Sequence, residues 1–99
     1  MLQIKKTIGD GKADFVLEGR LDTVTAPELE EALKDSLEGI SALTLDLGKL
    51  SYISSAGLRI LLTTQKTMNK QGEMTLIHVN ETVREILDVT GFSEILSIR

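Results

Sequence analysis

Two adjacent serines, Ser54 and Ser55, stand between an apolar run and a glycine in the segment Tyr52-Ile53-Ser54-Ser55-Ala56-Gly57-Leu58-Arg59. A hydroxyl in this setting can cap a helix, accept a phosphoryl group or attack a carbonyl carbon. If the segment opens a helix, the free amides and the dipole at its start favour an anion, so a phosphate is stabilised there. Gly57 lets the backbone approach closely. The same amides also serve an ordinary serine cap, which contributes about 1 kcal/mol. The local residues therefore leave capping and phosphorylation both open. Nucleophilic attack is less well supplied, because the elbow form Gly-x-Ser-x-Gly has Ile53 in its first position. His78, the single histidine, lies in an apolar strand pattern with no evident orienting carboxylate. It is expected to be a partly buried structural residue rather than a general base.

Other chemistries lack their residues. The chain has no cysteine, which excludes disulfides, thiolate metal sites and a cysteine nucleophile. Its carboxylates, such as Glu28, Glu30 and Glu31, show no ligand spacing and read as a solvated helix face, so no metal and no cofactor are expected. Neither a Gly-rich phosphate loop nor a dinucleotide fingerprint appears. With 11 basic and 15 acidic side chains the net charge is −4, and Phe15, Tyr52 and Phe92 are the only aromatics. Direct nucleic-acid binding has neither a basic footprint nor a stacking platform.

The elements that must position the serines follow from spacing. Leu2, Ile4 and Ile8, the turn residues Gly9-Asp10-Gly11 and the run Phe15-Val16-Leu17 predict an N-terminal hairpin. Thr25-Ala26-Pro27-Glu28 has the form of a capping box, with Pro27 in the first turn. Leu29, Leu33 and Leu37 then recur at helical spacing, and Gly39 is a plausible stop. Leu43, Leu45 and Leu47 alternate with Thr44 and Asp46, as in a strand with two unlike faces. A second helix carries Leu58, Leu61, Leu62, Gln65 and Met68 and should end near Gly72. Met74–Val79 reads as a further strand, and Asn80 can cap a third helix that ends at Gly91. Ile95, Leu96 and Ile98 must either add a strand or pack over the sheet.

Residues from about 42 to 79 form one βαβ crossover, so their strands should be parallel. With the hairpin in front, the sheet is mixed, and the whole chain, 1–99, is expected to be one α/β domain. Ser54 and Ser55 then sit at the carboxyl end of a buried strand, where open α/β sheets bind ligands. Asp22 on its own reads as a turn or cap residue. Asp46 is expected to bond loop amides. Arg59, early in the second helix, is a solvated or partner-contacting charge. Met1–Lys6 has no apolar stretch after its basic pair and does not read as a secretory signal, and no run is long enough to insert in a membrane. A soluble protein, by default cytoplasmic, is expected.

Gly19-Arg20-Leu21-Asp22-Thr23-Val24-Thr25-Ala26-Pro27-Glu28-Leu29, followed by Leu45-Asp46-Leu47 and the Tyr52–Arg59 segment, closely resembles the STAS domain family. Within it, the chain is similar to the stand-alone bacterial anti-sigma factor antagonists, or anti-anti-sigma factors. The resemblance covers essentially the whole length. It implies a mixed sheet with helices mainly on one face, and a regulator without catalysis of its own. Such proteins bind an anti-sigma factor that is also a serine kinase, which frees the sigma factor. They are inactivated when that kinase phosphorylates the serine opening the second helix, and a metal-dependent serine/threonine phosphatase reverses the change. The matching residue is Ser55, with Ser54 as a neighbouring acceptor and Asp22, Thr23, Ala56, Gly57, Leu58 and Arg59 around it. Family members often have an acidic residue before the serine and a hydroxyl residue after it, where this chain has Ser54 and Ala56. A free monomer suits this exchange of partners. The alternative within the family is a non-phosphorylated docking subunit of a lipid-transporting ABC system or of a stress-sensing complex.

Overall fold

Gly9 faces Lys12 across the first turn, so Asp10 and Gly11 alone make the connection. Both have positive φ, 53° and 74°, the geometry whose twist matches that of the strands it joins. The expected hairpin is therefore present as β1 (Leu2–Gly9) and β2 (Lys12–Leu21). In this computed structural model, which describes residues 1–99, the remaining elements are α1 (Ala26–Ser36), β3 (Ala42–Ile53), α2 (Ser55–Gln71), β4 (Glu73–Ile77) and α3 (Glu81–Thr90). A 3-10 turn follows at Phe92–Glu94.

The sheet runs β1-β2-β3-β4, antiparallel at the hairpin and parallel at both later pairings. It is the mixed sheet expected, built from two crossovers rather than one. Phe15, Leu45 and Leu76 share one rung across β2, β3 and β4, and Ala13, Leu43 and Met74 share another. All six are buried. Between them, Asp14 and Glu18 are exposed and Val16, Thr44, Asp46 and Thr75 are half-buried. The helices thus cover one face of the sheet and leave the other to solvent. No helix is long and apolar enough to cross a membrane.

Strand β3 continues well past Leu47. Its pairing with β2 slips between Val16 and Glu18 and again between Gly19 and Arg20, and each slip adds one residue to β3. The inward positions change spacing accordingly, from Leu43, Leu45 and Leu47 to Leu50 and Ile53. A period-two reading stops at Leu47 because the bulges re-aim every later side chain.

The start of α1 also departs from expectation. Thr25 makes no side-chain cap bond, so the capping box with Glu28 is not formed. Asp22 Oδ1 instead accepts from the Val24 and Thr25 amides at 3.0 Å each, and the Ala26 amide donates to the Asp22 carbonyl. Thr25 is buried, its hydroxyl 2.8 Å from the Arg20 carbonyl and accepting from the Asp22 amide. Burial turns the threonine inward and gives its capping role to the aspartate three residues earlier. Downstream, Leu37 caps α1, and Gly39 reverses the chain two residues later.

Long-range polar bonds hold the helices to the sheet. Gln71 Nε2 donates to the Leu37 and Ile40 carbonyls, tying the end of α2 to the end of α1. Asn80 Oδ1 caps α3 through the Val83 amide, while its Nδ2 reaches the Leu47, Gly48 and Leu50 carbonyls beyond the end of β4. The C-terminal tail adds a strand in minimal form: Ile98 bridges Leu76, and Leu96 is buried. Asn80→Ala removes both roles and should lower stability by about 1–3 kcal/mol. That corresponds to a fall of at least about 4 °C in the thermal midpoint of a domain this size. Asn80→Asp keeps the cap acceptor and should recover part of the loss.

Candidate functional site

Leu21 and Ile53 form the last rung between β2 and β3. The Ser54 amide then donates to the Leu21 carbonyl at 2.8 Å, closing the strand ends together before the chain enters α2. Ser54 is extended, at φ −91° and ψ 175°, and its hydroxyl accepts from the Gly57 amide at 3.4 Å. The capping role therefore falls to Ser54. Ser55 is the first residue of α2 and is exposed.

The next three residues fix the serine's platform. Ala56 is half-buried, and Gly57 and Leu58 are buried. A Cβ on Gly57 would lie 2.7 Å from Leu21 Cγ and 3.1 Å from Ile53 Cγ2, so a hydrogen is all this position accommodates. Helix α2 has no acidic residue in its first turn, and the amides at its start are disposed to accept negative charge. Arg59 is exposed.

Asp22 lies beside this platform through the Leu21–Ser54 bond, but its Oδ1 is engaged in the turn described above. Its carboxyl is held below the ordinary value by the Thr25 amide first, against a partial desolvation, with further help from the Thr25 hydroxyl, the Val24 amide and Arg20. Thr23 is exposed in the same turn. The structure thus brings Asp22, Thr23, Ser54, Ser55, Ala56, Gly57 and Leu58 to one end of the sheet.

His78 departs from its expected place. It follows β4 rather than lying within it, has φ 55°, and its side chain is 69% exposed. It also has a carboxylate partner, Asp46 Oδ2, 3.0 Å from Nδ1. Asp46 Oδ1 accepts from the Gly48 amide, the loop-amide bond expected of it. Partial burial pushes the Asp46 carboxyl up, but the Gly48 amide and His78 outweigh it and leave it lowered. This pair cannot serve Ser55. Val16, which faces Asp46, is five residues of β2 away from Leu21, roughly 16 Å along the strand. The only groove with an apolar floor runs between α1 and α2 past Leu33, Leu37 and Ile60, and neither serine lines a groove.

One cluster was not legible in the chain. Arg20 and Tyr52 face each other across β2 and β3, with the guanidinium carbon 4.5 Å from the ring centroid. Arg20 Nε is 3.6 Å from Asp22 Oδ2. No local signal joins Arg20 to Tyr52, since the second slip in β3 sets their alignment.

The family model of the STAS domain matches residues 3–99. The chain belongs to the STAS domain family. This STAS domain is 37% identical over 91 residues to BtrV of Bordetella bronchiseptica, a candidate anti-sigma factor antagonist, covering 90% of this chain and 78% of that one. It is 33% identical to the anti-sigma-B factor antagonist of Listeria monocytogenes, covering 87% and 77%. Among solved structures, an anti-sigma factor antagonist from Mycobacterium paratuberculosis superposes with a TM-score of 0.88 at 25% identity, covering 99% of this chain and 85% of the other.

Gly57→Ala should destabilise the domain by about 1–3 kcal/mol through overpacking against Leu21 and Ile53, measured by denaturant unfolding. The pH response is also fixed in sign. A carboxyl lowered on folding contributes stability above its unfolded value, 3.8 for Asp22, and loses it as the pH falls through the lower folded value. Stability should therefore decline as the pH falls below about 5, and Asp22→Asn should flatten that slope. An unchanged slope would contradict the assignment.

Proposed function

We propose that this STAS domain is an anti-sigma factor antagonist, a binding protein without catalysis of its own, that docks on an anti-sigma factor acting also as a serine kinase and thereby frees a sigma factor. Phosphorylation of Ser55 switches the docking off, and a metal-dependent serine/threonine phosphatase restores it. The observation that carries the reading is the division of labour between the two serines. Ser54 is half-buried and spends its hydroxyl on the Gly57 amide, whereas Ser55 is exposed at the helix start. The names of the relatives at 37% and 33% identity support the antagonist role.

The mechanism follows from charge. In the transfer, Ser55 Oγ bonds to the γ-phosphorus of ATP, ADP leaves, and the hydroxyl proton passes to a base of the kinase. The product carries about −1.5 to −2 charges and three acceptor oxygens where the chain was neutral. Within the domain the start of α2 receives that charge with little movement, because it has no acidic neighbour in its first turn. At an interface the same charge must be desolvated, which opposes docking. The switch is then local, electrostatic and steric, with no refolding.

Incubation with ATP and candidate kinases from the same genome, followed by mass spectrometry across residues 50–60, should place phosphate on Ser55. Ser55→Ala should abolish it and Ser54→Ala should not. Ser55→Asp should weaken binding to the kinase by at least about tenfold, equivalent to roughly 1.4 kcal/mol. Undiminished binding by both Ser55→Asp and the phosphorylated protein would overturn the mechanism, and copurification with a membrane ABC complex without phosphate would favour the docking-subunit role.

A further inference from the structure

Arg20 and Tyr52 pair one rung before the Leu21–Ile53 rung on which the serine platform is built, and Asp22, just past that rung, joins them through Arg20. Its contacts are weak ones. The Arg20–Asp22 pair is 3.6 Å apart with side chains 55% and 27% exposed, and Tyr52 is itself 36% exposed. A solvated pair at that separation and a stack at the surface hold the guanidinium loosely. Asp22 is fixed by its Oδ1 bonds whether or not Arg20 stays. The cation is therefore positioned near the end of the sheet but not needed there for the fold.

Tyr52 precedes Ser55 by three residues, which span at most about 10–11 Å of chain. A phosphate on Ser55 offers Arg20 a dianion with several oxygens, which a planar guanidinium binds through two parallel hydrogen bonds. The competing carboxylate carries one charge. We propose that Arg20 is the residue that responds to this phosphate, leaving Tyr52 and Asp22 Oδ2 to bind it. The response uncovers the tyrosine ring and a carboxylate oxygen, so phosphorylation alters the docking surface at a second point on the strand ends as well as at the serine. The inference rests on Ser55 being the modified residue. It adds a phosphate-responsive positioning residue, Arg20, on a different element from the serine.

The chain itself supplies the probe, because Tyr52 is its single tyrosine and it has no tryptophan. The domain is prepared with phosphoserine incorporated at position 55 during synthesis, which makes the measurement independent of any kinase. Phosphorylation should change the Tyr52 fluorescence and move its ring proton resonances. Arg20→Gln should abolish that change, and Arg59→Gln should leave it intact. In a phosphorus NMR titration, Arg20→Gln should raise the second ionisation of the phosphate by on the order of 0.2–0.7 pH unit, the range an exposed ion pair commands. An unmoved Tyr52 signal, the same change in Arg20→Gln, or a titration shift confined to Arg59→Gln would each overturn the proposal. Failure of every kinase to modify Ser55 would count against the proposed switch alone.

Discussion

The parallel pairing of β2 with β3 is the constraint on which the rest of this structure depends. Up to Val16 and Asp46 the two strands run in simple register, and the leucines of β3 point inward at every second residue. Two one-residue slips then carry Leu50 and Ile53 into the core and bring Ile53 opposite Leu21. Without them the strand ends would not meet where the Ser54 amide bonds to the Leu21 carbonyl, and Gly57 would not find the Leu21–Ile53 surface against which it packs. Bulges at a sheet's functional end are common devices for redirecting side chains. Here they orient an entire helix.

That dependence explains which features were legible in the chain. The Asp10-Gly11 turn, the Asn80 cap, the Gly91 terminus and the limits of α2 rest on neighbours within a few residues, and the residue types suffice for them. The end of β3 before the serines is legible, but its inward positions beyond Leu47 are not, because Leu50 and Ile53 follow a spacing that only pairing with β2 imposes. Thr25 and Glu28 have the types and spacing of a capping box, but tertiary burial turns the Thr25 hydroxyl toward the Arg20 carbonyl and leaves Asp22 to accept the amides. His78 looked strand-like in an apolar run, while the backbone turns at that residue and presents the ring to Asp46, 32 positions earlier. The β3 and His78 positions are set by residues some thirty positions away, and the Thr25 position by burial in the core.

The two serines illustrate how adjacent residues of one type acquire different chemistry. Ser54 keeps an extended backbone because its amide completes the strand pairing, and this conformation directs its oxygen back to the helix amides. Ser55 is already helical and exposed, and its hydroxyl is not engaged in the cap. A single step along the chain thus separates a structural hydroxyl from an available one. The acidic character of the molecule, at −4, means that any further negative charge is added to an unfavourable field.

The order of the strands also has a kinetic consequence. The hairpin closes through a two-residue turn and belongs to the class of events completed in microseconds. Both parallel pairings must first enclose about thirty residues, as Phe15 with Leu45 and Leu45 with Leu76 do, so the entropy of loop closure precedes their reward. Assembly is expected to begin at the N-terminal ribbon and proceed across the sheet. The strand ends that carry the serines then mature after the ribbon, and a nascent chain presents the ribbon well before it presents a surface able to engage a partner.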